Sequence, residues 1–552
     1  MSKSESKYYL LSRFITITLI YLLTRYFIFN GFNGTDDLHY ARLASDMVKG
    51  RYSPFVAEDI FSGRILLVAW QALIYFIGGV NIFTTQAGTI IAIVLSCYFT
   101  VFRLLPVKNI TTVIIASALF YFNPVLTEAT IGVLPDIYIL LAGIILLLLW
   151  RNVIKEKKRS KLFFKSFLIG VIIFVAMFFK ENALIFFPFI ICLAVIHRKQ
   201  NGLIAGFISI LTFSAGIILS AWMYAHYTGD VFFRVKQIES STYFNPCSYE
   251  MLPLHDLIIR MTYGVWKEFI VNGFYPVLLA SIILVLKFTF DKNLKLKEHQ
   301  ESVYFILLLL LSLYFPFSFK GYQPLCYKAR HFLFLLPFAV SVCAIFLDKN
   351  LKNNRSLLLW IPASLILSVV CVISTPDKWR WMTCISLFIF FLLQNIFSPK
   401  LFNPFKLILF SLIFWLSISP GIFYRNNYWF GNTQQLSTIL QGNYFYFPEH
   451  DNMMNWKLLH GFSDSCHTYN LEKEPFKIFQ AYYESPDTSA FHPGWFIVNN
   501  VYSKSQSKFP EALKKMKETN FFSRQECYGN ICAYYLDTKD QFKIIQNLLA
   551  SD

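Results

Sequence analysis

Charge is what this chain lacks. Of its 552 residues only 15% are Asp, Glu, Lys or Arg, against 55% hydrophobic ones. A soluble protein of this length would divide into domains, each needing a polar surface that so few charges do not supply. Acidic residues are the scarcer sign, 33 against 50 basic ones, for a formal net charge of +17. The basic residues fall mostly in short gaps between apolar runs, the bias of loops on the cytoplasmic side, so no nucleic-acid partner is expected. A P-loop, a dinucleotide fingerprint and zinc-type Cys/His spacing are all missing, which removes the common nucleotide and zinc chemistries. No internal repeat or low-complexity stretch occurs. The first apolar run is too long for a cleavable signal and lacks a small-residue cleavage site, so it is expected to stay as a span. A cysteine framework is missing too: most of the ten cysteines lie inside apolar runs, where they pack as small hydrophobes. Cys527 and Cys532 differ. A two-residue Gly529-Asn530 turn would set them opposite each other on two strands, at disulfide distance and suited to an oxidising compartment.

What is present is length in apolar residues. Runs near the span of a bilayer fall at 9–30, 65–79, 82–103, 110–127, 134–152, 162–179, 182–197, 203–226, 270–288, 303–319, 331–347, 357–374, 379–396 and 404–423. If all fourteen cross and the N-terminus is cytoplasmic, four basic clusters end up outside: Arg151 to Lys161, His197 to Lys199, Lys295 to Lys297 and Asp348 to Arg355. If 65–79 lies along the outer interface instead, all four become cytoplasmic together. That run is also short and comes directly after a charged loop. The expectation is therefore a polytopic α-helical membrane protein of about 13 spans, N-terminus inside. The membrane domain is 1–423, with an outer loop 31–81 that includes interfacial helices. Residues 424–552 change character, with a strand at Trp495 to Tyr502, a helix at Phe509 to Glu518 and a hairpin at Gln525 to Leu536. They predict a small α/β or α+β domain on the outer, extracytoplasmic face of the plasma membrane.

On this topology the ionisable residues converge. Asp36 and Asp37 come at once after the first span, and Glu58 and Asp59 form a second acidic pair in the same loop. Carboxylates held at a membrane face by so apolar a scaffold suggest a working site, although two acids also serve simply to solvate a loop. Asp136 opens an apolar run after Pro135, where capping a helix is its plain explanation and a second catalytic acid the alternative; Glu128 is nearby. Two such acids can act as base and metal ligand, or as base and substrate clamp. Lys180 and Glu181 interrupt two apolar runs, as a hairpin tip or as a phosphate contact. Lys320, Tyr327, Lys328, Arg330 and His331 place positive charge on the outer face against the usual trend, which fits lipid headgroups or a polyprenyl phosphate. The loop 227–269 adds Arg234, Lys236, His255 and Arg260. The sequon Asn33-Gly34-Thr35 would crowd the acids and is discounted.

The order of TDDLHYARLASDMVKGRY, FSGRILLVAWQALIYFIGGVN, NPVLTEATIGVLPDIYIL, FFKENALIFFPF and YKARHFLFLLPF, across about residues 10–345, resembles the GT-C superfamily. It looks most like glycosyltransferase family 39, the protein O-mannosyltransferases and lipid A aminoarabinose transferases. The resemblance implies an inverting transferase that moves a hexosyl or pentosyl group from a polyprenyl-phosphate donor to a lipid, glycan or protein acceptor at the outer face. Asp36 or Asp37 would be the base, and Asp136 would orient substrate. Lys180, Tyr327, Lys328, Arg330 and Arg260 would bind the lipid phosphate. Some relatives hold a divalent metal, which Asp36 and Asp136 would ligate here. The family's Asp-Glu doublet is Asp-Asp in this chain, leaving the base open between the two. Two rivals stand beside this reading: a surface-polysaccharide ligase or polymerase centred on His331, and a lipid-linked-sugar transporter. A transporter calls for ionisable groups near mid-membrane, where this chain has almost none.

Overall fold

The computed structural model describes residues 3–29, 31–32, 36–57, 59–106, 109–239, 249, 252–290, 300–317, 322–326, 328–351, 429–448, 450–471, 491–499, 513, 516, 519, 521–528 and 531–551. The apolar runs expected at 357–374, 379–396 and 404–423, and the boundary expected at 423, lie outside them.

Helices dominate: α1 (Lys3–Ile28), α2 (Asp36–Val48), α3 (Ile65–Gly78), α4 (Ile82–Phe99), α5 (Ile110–Tyr121), α6 (Pro124–Ala129), α7 (Asp136–Val153) and α8 (Arg159–Met177). Next come α9 (Phe186–Ile196), α10 (Gly202–Thr228), α11 (Phe233–Glu239), α12 (Leu254–Ile259), α13 (Val265–Val271), α14 (Tyr275–Phe290), α15 (Gln300–Tyr314) and α16 (Leu336–Leu351). Among the described residues five stretches, Ile82–Leu104, Asp136–Val153, Arg159–Met177, Gly202–Thr228 and Ala329–Phe346, are long and apolar enough to cross a membrane. Several more apolar helices are shorter. The chain is a multi-pass membrane protein. The expected run 110–127 divides at Asn123, whose side chain accepts the Leu126 N–H while Pro124 opens α6, a strong helix start. Small residues let the helices close on one another: a Cβ on Gly170 of α8 would stand 2.4 Å from the Ser209 carbonyl of α10.

Polar contacts gather at two opposite ends. At one, Arg151 donates to the Leu104 carbonyl at 2.9 Å and pairs with Glu301 at 2.6 Å, and Asn201 donates to the Glu156 carbonyl at 2.7 Å. The exposed bases of 155–161 and 198–199 are here. At the other end sit Asp36, Arg64, Asp136, Lys180 and Arg330. Helix α3 begins and finishes at this acidic end: Arg64, before its first residue, pairs with Glu181, and Val80, after its last, lies against Gly461 of the C-terminal region. Its fourteen residues reach about 21 Å, short of the ~30 Å hydrocarbon thickness.

The C-terminal region carries a five-stranded mixed sheet. Helices α17 (Trp429–Ile439) and α18 (His450–Leu459) flank β1 (Tyr444–Phe447); beyond them come β2 (His467–Asn470), β3 (Gly494–Asn499), β4 (Gln525–Tyr528), β5 (Ile531–Leu536) and α19 (Lys539–Ser551). The order is β2-β1-β3-β5-β4, parallel among the first three strands and antiparallel beyond. The expected strand at 495 and the hairpin at 525–536 are present, with Cys527 opposite Cys532 and disulfide-bonded. Of the helix expected at 509–518, Leu513 and Met516 are described and helical. Side chains alternate between two faces. Phe445, Phe447, Trp495, Ile497, Ile531 and Ala533 join the same apolar core as the membrane helices, while Tyr446, Phe496, Val498 and Tyr534 pack with Phe542 and Ile545 of α19. Lys49 donates to the Phe462 carbonyl at 2.6 Å and Arg51 pairs with Asp464 at 2.8 Å, fixing this region to the end of α2.

Candidate active site

Asp36 and Asp37 open α2, where the positive end of the helix dipole favours carboxylates. They then part. Asp37 is buried, accepts the Leu38 N–H at 2.9 Å, and packs against Gly132 so closely that a Cβ there would stand 2.5 Å from its own Cβ. Asp36 stays partly open and accepts from Arg330 Nη2 at 2.8 Å.

Asp136 is the first residue of α7 and does not cap it; the cap position belongs to Pro135, which has no side-chain bond to give. Its Oδ1 instead takes Lys180 Nζ at 2.7 Å, both groups being buried. Its Oδ2 is buried with no hydrogen-bond partner among the described residues, and so is Arg330 Nε. An orphaned acceptor and an orphaned donor in one site are costly unless a ligand or water completes them. Lys180 lies within electrostatic reach of Asp136, Arg64 and Arg330, and Arg330 within reach of Asp36, Asp136 and Glu128, so the two pairs form one cluster. Burial pushes the Lys180 ammonium down to about 8; Asp136 opposes the push, and Arg64 and Arg330 add to it.

A second layer of charge braces the first. Arg64 donates Nε and Nη2 to Glu181 at 3.2 Å and bonds Tyr40 of α2, while Arg234 of α11 bonds the other Glu181 oxygen. Arg234 also donates to the Ile60 carbonyl at 2.9 Å, and Gln237 to those of Val56 and Asp59. Asp59 takes His39 at 3.1 Å and the Phe61 N–H at 2.8 Å in a buried setting, so it holds the loop together. Glu58 lies outside the described residues.

On the basic segment, the Cys326 carbonyl accepts the Lys328 N–H at 2.9 Å and His331 Nδ1 at 3.2 Å, making the turn from which Arg330 reaches Asp36. Lys328 is exposed. Lys320 and Tyr327 lie outside the described residues. Cys326 is disulfide-bonded. The other described cysteines are free or form the 527–532 pair, so its partner is not among them. Arg260 is buried and donates to the Leu313 carbonyl at 3.1 Å, at the end of α15.

Asp36, Asp136, Lys180 and Arg330, conspicuous in the sequence, thus meet. Arg64 escapes a reading of the sequence because it directly precedes an apolar run, and Arg25 because it falls in the last part of one. Asp36 and Asp136 each face a cation, and among the described residues no three His, Cys, Asp or Glu side chains converge.

The sequence matches no protein-family model and no curated protein. Solved structures do match. ArnT from Cupriavidus metallidurans, bound to undecaprenyl phosphate, superposes with a TM-score of 0.51 at 10% identity, over 96% of this chain and 98% of that one. Its apo state gives the same values. The apo oligosaccharyltransferase of Archaeoglobus fulgidus aligns more loosely, with a TM-score of 0.46 and 12% identity over 90% of this chain and 70% of that one. The fold of this chain is the one seen in ArnT from Cupriavidus metallidurans.

Proposed function

We propose that the protein is an inverting glycosyltransferase, using a polyprenyl-phosphate sugar as donor at the outer face of the plasma membrane. The observation that carries the reading is the meeting of Asp36–Arg330 with Asp136–Lys180, each pair with an orphaned polar atom, at one end of a fold shared with an enzyme solved with undecaprenyl phosphate. The topology supports the orientation. The exposed basic loops and the acidic cluster lie at opposite ends, and the 527–532 disulfide belongs to the domain docked at the acidic end.

The pairs supply the groups this chemistry needs. Arg330 and Lys180 can hold the phosphate of the donor, Arg330 by its planar fork and Lys180 as a point charge, with exposed Lys328 beside them. Phosphate arriving at Arg330 competes with Asp36 and leaves that carboxylate unpaired. Asp36 can then take the proton of an acceptor hydroxyl as its oxygen bonds the anomeric carbon and the bond from that carbon to the phosphate oxygen breaks. The phosphate leaves as an anion already matched by two cations. Asp37, buried under Gly132, acts by holding the start of α2. Asp136 Oδ2 is placed to accept from a substrate hydroxyl. The acceptor, whether lipid, glycan or protein, comes in below the C-terminal domain.

Lipid mass spectrometry on cells lacking the protein tests this reading. A polyprenyl-phosphate sugar should accumulate and a surface glycoconjugate lose one sugar, restored by wild type and not by Asp36→Asn, with turnover down roughly 10²- to 10⁴-fold. Purified Asp36→Asn should bind undecaprenyl phosphate at least as tightly as wild type, since Arg330 loses its competitor. Full rescue by Asp36→Asn would overturn the proposal. Loss on replacing His331 with Asp36→Asn active would instead favour a polysaccharide ligase.

A further inference from the structure

Arg25 is a buried guanidinium that none of the steps above uses. It sits in the last turn of α1, only 7% exposed, inside an apolar run where a charge is expensive and calls for a reason. Its Nη1 donates to the Thr127 carbonyl at 3.1 Å and to Thr130 Oγ1 at 2.5 Å. Nη2 donates to Gln86 Oε1 of α4 at 3.2 Å and to the Thr130 carbonyl. Thr127 lies in the last turn of α6 and Thr130 caps it; the Thr127 carbonyl also accepts the Thr130 N–H at 3.3 Å and Thr130 Oγ1 at 2.8 Å, so the guanidinium joins a hydrogen-bonded turn in an apolar setting.

The residues just beyond Thr130 give the contact its meaning. Two residues on is Gly132, whose carbonyl accepts Thr89 Oγ1 at 3.0 Å and whose bare Cα receives the Asp37 side chain. Four residues further is Asp136, paired with Lys180. The stretch 127–136 therefore touches both acid-bearing helices, and it is pinned from α1 by Arg25 and from α4 by Thr89. We propose that Arg25 is a positioning residue, fixing this connector so that Asp37 seats the start of α2 and Asp136 meets the cluster in register. The role in turnover rests on the glycosyltransferase reading; the effect on the connector does not. A lysine carries the same charge on a single nitrogen and lacks the planar fork that reaches two elements at once, so Arg25→Lys separates geometry from charge.

The test uses full-length protein in lipid nanodiscs, as wild type, Arg25→Lys, Thr130→Val and the double variant. In Arg25→Lys, amide exchange across 127–136 should quicken while the rest of α7 is unchanged. Affinity for undecaprenyl phosphate should stay within about twofold, since Arg25 lies outside the phosphate-binding cations. Transfer from the cell's own lipid-linked donors should fall roughly 10- to 100-fold, the usual effect of misplacing catalytic groups by an ångström. Thr130→Val keeps the backbone contacts, so it should show a milder version and add little to Arg25→Lys. Unchanged exchange in both single variants overturns the proposal, as does a loss of transfer matched by an equal loss of lipid affinity. If wild type neither binds undecaprenyl phosphate nor transfers sugar, the functional reading fails, and exchange alone decides whether Arg25 holds the connector.

Discussion

At the scale of single residues, the site is made of ion pairs whose members have two employers. Lys180 shows this best. Its ammonium balances Asp136 and, on the proposed function, would also meet the donor phosphate, and burial brings its titration down to about 8. The phosphate binds the protonated form. Affinity for undecaprenyl phosphate should therefore be full below that pH and weaken as pH rises through it, up to about tenfold per pH unit until the bound-state value is reached. Lys180→Arg should flatten the profile, because a guanidinium stays charged throughout. A wild-type profile as flat as that of the arginine variant would remove Lys180 from phosphate binding; calorimetric titration across that range checks it.

At the scale of elements, the join between α2 and the 127–136 connector governs how the two acids approach each other. Gly132 is the contact point, and the nearest Asp37 atom there is its Cβ, which no rotamer change can move aside. Gly132→Ala should push the first turn of α2 away, costing about 1–3 kcal/mol of stability and lowering transfer with lipid affinity kept. Thermal melting with parallel transfer assays would show it. The elements themselves are largely legible in the sequence, because length and apolarity carry the information for a membrane helix: α4, α7, α8 and α10 fall within a few residues of their runs. Strands β1 and β2 are not legible, being four residues each with their alternation hidden among aromatics such as Tyr-Phe-Tyr-Phe. Of the site, Asp36, Asp136, Lys180 and Arg330 stand out because each breaks an apolar context. Arg25 and Arg64 do not, since an arginine in the last turns of a span or just before one looks like ordinary interfacial charge. Arg260, expected among the phosphate contacts, is buried and donates to the Leu313 carbonyl at the end of α15.

At the scale of the whole molecule, the C-terminal sheet and the membrane helices share one apolar core. Phe445, Phe447 and Ile497 bury themselves in the same cluster as Leu38 and Ile137. Removing residues 429–552 should bare that surface, and the remaining chain should aggregate on gel filtration in detergent where the full chain runs as one species. The two disulfides have a consequence of their own. Cys326 anchors the turn that brings Arg330 to Asp36, and its bond forms only where an oxidant reaches it. On the proposed orientation, a chain newly threaded into the bilayer is still unripe. Its carrier-lipid grip would mature only after export, so a copy stranded on the inward side would stay idle.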